Sequence, residues 1–270
     1  MSSDDTYKIF VIKYATTNMR RETFFVPPLF PAGEIQFDYY ISVIANEKRV
    51  ILVDTGFREE TGGRRGRTLL RCPVESLSLC GFDARQVDDV ILTHLHYDHA
   101  GNMGCFNSAR FHIQQREIEF VTSSMMSSAN PNLGGSVESS DVHALVDLIF
   151  AGRVNILHGS TELVPGIELH LVGGHTPGQQ LVRVKTARGW VILANDTCHY
   201  EKNVIDRHPV CAFVDLREMM EGFDKIMHLA DGDMSRIIPG HDPIVMQRFP
   251  SPDKSLKDIV VRVDLPPVGN

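Results

Sequence analysis

The sequence has no apolar run approaching the ~18 residues of a membrane-spanning helix. Its start, Met1-Ser-Ser-Asp-Asp-Thr6, lacks the basic-then-apolar pattern of a secretory signal. Both absences predict a chain that is neither membrane-embedded nor exported. Cysteine is scarce and unpatterned: Cys72, Cys80, Cys105, Cys198 and Cys211 form no CxxC pair, and an odd number cannot all pair within one chain. A reduced, cytoplasmic setting is therefore expected. Positive charge is in deficit, 27 Lys and Arg against 34 Asp and Glu for a formal net charge of −7, which argues against nucleic acid as the main partner. Two chemistries are also missing. There is no G-x-S-x-G nucleophile elbow, and the glycines Gly62, Gly63 and Gly66 are not followed by the Lys-Ser/Thr that ends a phosphate-cradling loop.

No low-complexity linker divides the 270 residues, so one domain over 1–270 is expected, with an N-terminal strand and substrate loop over 1–37 and a tail over about 250–270 containing Pro266-Pro267. With 43% hydrophobic and 23% charged residues there is ample material for a core. Alternating apolar and polar residues predict strands over Lys8–Tyr14, Asp38–Ala45 and Arg49–Asp54, the last two joined by a hairpin at Asn46-Glu47-Lys48. Helical spacing runs over Leu69–Leu79, interrupted by Pro73, and again over Gln115–Met125, Asp141–Phe150 and Leu216–Leu229. Further strands are expected at Val90–Leu92, Arg110–Ile113, Val154–Leu157, Ile167–Val172, Leu181–Lys185, Trp190–Ala194 and Arg236–Ile238. The polar stretch Ser123–Ser140 reads as a lid or a surface loop.

Chemistry-bearing residues cluster where strands end. His94, His96, Asp98 and His99 place four nitrogen or oxygen donors within six residues, directly after the strand at Val90–Leu92. In an extended segment alternate side chains project the same way, so His94 and His96 can share one ion while the turn directs Asp98 and His99 to another. His175, Asp196 and His241 each follow another expected strand and complete the candidate set, and a carboxylate such as Asp196 can bridge two ions. The other histidines, His112, His143, His158, His170, His199, His208 and His228, have no comparable support and read as structural or solvated, with His199 alone near the cluster in sequence.

The run His94-Leu-His-Tyr-Asp-His99 resembles the HxHxDH signature of the metallo-β-lactamase superfamily. Val53-Asp-Thr-Gly56, Gly174-His-Thr-Pro-Gly178, Asp196 and Pro239-Gly-His241 follow in that family's order, so the resemblance spans about 38 to 245. It implies an α/β fold of the αββα sandwich type, two mixed sheets flanked by helices. It also implies two divalent metal ions, one held by His94, His96 and His175 and the other by Asp98, His99 and His241, with Asp196 bridging. Asp54 would orient the ligand loop by hydrogen bonding. Zinc is the expected metal, with manganese, cobalt and iron compatible with the same ligands.

Two ions flanking an acidified water make hydrolysis the default reaction, with Asp98 or Asp196 carrying the proton to the leaving group. A Glu in place of His96 would mark the redox di-iron branch and a Cys in place of Asp196 a true β-lactamase, and neither is present. Layout and length are most similar to the N-acyl-homoserine lactonase group. That resemblance implies a quorum-quenching lactonase that opens its substrate by attack of a metal-bridging hydroxide, with a tyrosine shortly after the bridging aspartate. Tyr200 is the candidate, four residues beyond Asp196 where the lactonase pattern has three. Phe24, Phe25, Leu29, Phe30, Met125 and Met126 suit an acyl chain, whereas Arg64, Arg65, Arg67 and Arg71 suit a carboxylate-bearing substrate. A lactonase or cyclic-amide hydrolase acting on a small anionic ring is thus the alternative. A glyoxalase II-like thioesterase is disfavoured because only 29 residues follow His241, too few for its helical C-terminal domain. A nuclease is disfavoured by charge, and a binding module without turnover by the complete ligand set. The segment Phe24–Phe37 is read as either a homodimer contact or a substrate wall.

Overall fold

A computed structural model describes residues 6–26 and 32–269. Its strands are β1 (Lys8–Arg20), β2 (Glu34–Ala45), β3 (Val50–Val53), β4 (Thr68–Leu69), β5 (Asp89–Ile91), β6 (Arg110–Gln114), β7 (Val154–Leu157), β8 (Thr161–Val164), β9 (Ile167–Leu171), β10 (Gln180–Thr186), β11 (Gly189–Asn195), β12 (Ile237–Pro239) and β13 (Val260–Arg262). Among the described residues they form two mixed sheets. The larger has the order β13-β1-β2-β3-β5-β6-β7, with β4 also paired to β1, and the smaller the order β12-β11-β10-β9-β8.

The sheets face one another through apolar side chains that alternate along each strand. Ile9, Val11, Ile44, Ile51, Val53 and Ile91 of the larger sheet meet Ile167, Leu169, Val182, Val184, Val191 and Leu193 of the smaller. The outer faces are covered too. Phe10, Ile12, Val43, Leu52, Val90 and Phe111 share a cluster with Phe120, Leu145 and Leu148 from the helices Gln115–Val121 and Ser139–Phe150. Over the smaller sheet lies the helix Leu216–Leu229, capped by Asp215, whose side chain accepts from the Glu218 amide at 2.9 Å. Its buried residues Met219, Gly222, Phe223 and Ile226 fall at helical spacing, and Gly222 lets it sit close, since a Cβ there would lie 2.7 Å from a Val172 methyl. The result is the αββα sandwich.

Local chemistry explains where elements depart from their sequence pattern. The apolar spacing over Leu69–Leu79 yields only β4 and a 3-10 turn at Glu75–Cys80, because Pro73 cannot continue a helix through that stretch. The end of the chain, expected to trail as a tail, instead adds β13 antiparallel to β1, where Phe10 pairs with Arg262 and Ile12 with Val260. β1 runs on to Arg20, past the expected Tyr14, with a bulge at Tyr14. That bulge re-aims the Tyr14 side chain, whose hydroxyl donates to the Asp98 carbonyl at 2.8 Å and so braces the histidine-rich loop.

Candidate metal centre

Four strand ends converge at one edge of the sandwich. β5 runs into His94–His99, β9 into Gly173–His175, β11 into Asn195–Asp196, and β12 into Gly240–His241. All seven ligand candidates are buried there. Donor atoms of His94, His96, His175 and Asp196 lie within 4.8 Å of one another, and so do those of Asp98, His99 and His241. Asp196 stands between the two groups. Its Oδ2 is 3.2 Å from His175 Nε2 and 3.9 Å from His94 Nε2, while its Oδ1 is 2.9 Å from His241 Nε2 and 3.4 Å from His99 Nε2.

The hydrogen bonds around the cluster turn the rings to present their lone pairs inward. His175 Nδ1 donates to the Ala212 carbonyl at 2.7 Å, His241 Nδ1 to the Asp38 carbonyl at 2.8 Å, and His99 Nδ1 to Asp54 at 2.8 Å. Each contact places a proton on Nδ1 and turns Nε2 toward the cluster; at His99 burial opposes charge, but the Asp98, Asp196 and Asp54 carboxylates outweigh it and favour the charged form, whose Nε2 proton a cation would displace. Yet Nε2 of His94, His96 and His99 are buried with no hydrogen-bond partner. His96 Nδ1 faces His175 Nε2 at 2.9 Å, an arrangement that needs a proton or a cation between the two nitrogens. Burial, reinforced by neighbouring imidazoles, keeps His94 and His96 neutral, as ligands must be. Burial opposes charge on Asp196, but the surrounding His241, His199, His99 and His175 hold its carboxyl well below the usual range. Orphaned imidazole acceptors around ionised carboxylates fit two divalent cations.

Two buried carboxylates tie the ligand loops together. Asp54 is fully buried at positive φ (60°) and accepts from the Thr93 amide (2.8 Å) and hydroxyl (2.9 Å), His99 Nδ1 and Asn195 Nδ2 (2.8 Å), joining three strand ends. Glu117, which sequence reading did not single out, accepts from the Leu95 amide (2.9 Å), the Thr176 hydroxyl (2.7 Å) and the Gly178 amide (3.0 Å), locking the His94–His99 loop to the His175 loop. Nothing in its local sequence marks it: it is one of several polar residues at the start of a helix.

A cavity of about 210 Å³ opens over the centre, lined by His96, Asp98, His175 and Asp196 and walled by Met19, Phe24, Phe37, Pro131 and Ala212. The stretch Ser123–Ser140 supplies Pro131, Asn132 and Ser136 to this wall and is fastened by Asn132 Nδ2 donating to the Cys211 carbonyl at 2.7 Å. The expected substrate contacts need correction. Tyr200 does not line the cavity: its ring packs on Phe24, Phe25 and Phe37, and its hydroxyl donates to the Gln36 carbonyl at 2.7 Å. In its place His199, set aside as structural or solvated, faces the cavity with Nε2 3.2 Å from Asp196 Oδ2. Arg64 and Arg65 are drawn away by Glu138, at 3.2 and 2.8 Å, and Arg67 lines the cavity instead. Phe25 is buried behind Phe24, which forms the wall. Phe30 lies outside the described residues.

The fold and this centre define a class. The family model of the metallo-beta-lactamase superfamily matches residues 36–244, and the chain belongs to that superfamily as a metal-dependent hydrolase. Among curated relatives, the N-acyl homoserine lactonase of Bacillus cereus is 25% identical over 232 residues, covering 79% of this chain and 85% of that one. An N-acyl homoserine lactonase of Azorhizobium caulinodans is 24% identical over 186 residues, covering 65% and 66%. A crystal structure of a quorum-quenching N-acyl homoserine lactone lactonase superposes with a TM-score of 0.73 at 24% identity, covering 90% of this chain and 94% of that one. A hydrolase of the beta-lactamase superfamily superposes with a TM-score of 0.74 at 19% identity, covering 91% and 89%. Among the described residues no helix is long and apolar enough to cross a membrane.

Proposed function

We propose that this chain is a dinuclear lactonase, with His94, His96 and His175 holding one divalent ion, Asp98, His99 and His241 the other, and Asp196 bridging them. The observation that carries this reading is the split contact of Asp196, one carboxylate oxygen toward each histidine group, beside three buried imidazole nitrogens without a hydrogen-bond partner among the described residues. Bound there, the ions, zinc by preference, supply Lewis acidity that polarises an ester carbonyl and acidifies a water near neutral pH. The chain's own residues do the rest. Asp98 reaches the cavity and passes the water's proton toward the leaving ring oxygen. His199 takes the substrate-facing place for which Tyr200 was the sequence candidate: it is the third residue after Asp196 and its ring lies between those of His175 and His241, at centroid distances of 4.9 and 5.5 Å. Phe24, Phe37 and Met19 shield the reacting ester from bulk water.

Ring opening rather than thioester or phosphodiester cleavage is supported by the lactonase relatives, which cover most of the chain. The described residues work as one domain, and five free cysteines suit a reducing cytoplasm. The test is a pH-indicator assay of the metal-loaded protein against lactones, thioesters and phosphodiesters. Lactone turnover that disappears in His96→Ala and Asp196→Asn is the expected result. Preference for a thioester or phosphodiester would overturn the substrate class.

A further inference from the structure

Resting on the lactonase reading, we infer that Arg67 makes this site select a lactone bearing a carboxylate, held between the guanidinium and the metal centre. Arg67 lines the same cavity as His96, Asp98 and Asp196, and it is half-buried. Its Nε donates to the Tyr97 hydroxyl at 3.0 Å, and that hydroxyl lies 3.3 Å from the Tyr39 hydroxyl. That bond engages the guanidinium through Nε, and among the described residues no group accepts a hydrogen bond from its two Nη atoms. Its neighbours in sequence are placed differently: Arg58 pairs with Asp141, Arg64 and Arg65 pair with Glu138, and Arg71 donates to the Lys13 carbonyl. Among the described residues no carboxylate pairs with Arg67. Burial works against the Arg67 charge while Tyr39, Tyr97 and the Asp98 carboxylate favour it; with Asp98 assigned to the metal centre, a substrate carboxylate is the group its planar fork can take bidentately.

The remaining walls set the shape of the ligand. Met19, Phe24 and Phe37 offer apolar contact to a ring. The cavity, about 210 Å³ and open to solvent on one side, accommodates a compact ring. In the reaction, water oxygen bonds to the acyl carbon, the acyl carbon–ring oxygen bond breaks, and the ring oxygen leaves with a proton. The product is a hydroxy dicarboxylate whose original carboxylate stays on Arg67 while the new one forms on the side of the cavity lined by Asp98 and Asp196.

The experiment is steady-state kinetics of the metal-loaded enzyme on 5-oxotetrahydrofuran-2-carboxylate and on its neutral carboxamide, with wild type, Arg67→Met and Arg67→Lys matched for metal content and melting temperature. Wild type is expected to prefer the carboxylate about 10- to 100-fold in kcat/KM, as a charge-assisted pair implies. Arg67→Met is expected to abolish that preference, mainly through KM, and Arg67→Lys to retain part of it. No preference in wild type, or a preference that survives in Arg67→Met, overturns the inference. Should Arg67→Met be too unstable to assay, the wild-type preference and the partial effect in Arg67→Lys decide it in the same way. Turnover of neutral lactones alone sinks this inference and spares the lactonase reading; turnover of no lactone, charged or neutral, sinks both.

Discussion

Asp196 and the two side chains that follow it at positions 199 and 200 divide the labour at the proposed site. Asp196 meets the two histidine groups, His199 flanks it on the cavity side, and Tyr200 supports the wall from behind. His199→Ala is therefore expected to lower kcat/KM on the best lactone more than tenfold. Tyr200→Phe should change it less than about threefold while costing roughly 1 kcal/mol of stability through the lost bond to Gln36. Kinetics and urea melts of the two variants check both halves. Asp54 acts through the ligands it orients, so Asp54→Asn is expected to weaken metal affinity about 10- to 100-fold in a chelator competition. All seven ligand candidates were legible in the sequence, because metal binding demands particular residue types and four of them fall in one short run. The substrate contacts were not. Arg64, Arg65 and Arg67 are equivalent as letters, and only the turn that ends the helix Glu59–Arg64 decides which one faces inward.

The elements that carry the ligands are held in place by contacts between loops. Glu117 begins no recognisable motif, yet three donors from two loops converge on it, and Gly178 is packed so tightly against its backbone that a Cβ there would collide with the Glu117 nitrogen. Glu117→Ala leaves those buried donors unpaired and is expected to cost about 3 kcal/mol, read as a lower urea midpoint with an unchanged slope. Strand content was well marked where both faces of a strand are buried, as in β2 and β3. It was poorly marked at the edges. β8 is half exposed with no apolar alternation, and β13 has three residues, too few for a period to show.

At the scale of the whole molecule, a source of pH sensitivity lies outside the candidate metal centre. Asp141, on the helix Ser139–Phe150, is buried with Oδ2 lacking any partner, and burial raises its carboxyl to about 6 despite the Arg58 guanidinium 2.6 Å away. A carboxyl whose folded pKa exceeds its unfolded value binds a proton more readily when folded. Its contribution to stability is complete below pH ~4 and is lost as pH rises toward 6. In Asp141→Asn that loss is absent, so the variant's stability relative to wild type is expected to rise by about 2 kcal/mol between pH 4 and pH 7, measured by urea denaturation at each pH. The αββα layout was legible from sequence through the family resemblance that the motif order carries, but this electrostatic cost, which arises from how the helix seats, was not.

The most direct test of the proposed dinuclear centre is a titration of metal-free protein with zinc, following lactone turnover and bound metal by mass spectrometry at each step. Turnover that rises to a plateau at about two equivalents, with Asp196→Asn retaining less than two and little activity, is the predicted result. Full activity at one equivalent, or turnover indifferent to chelation, would contradict a two-metal lactonase.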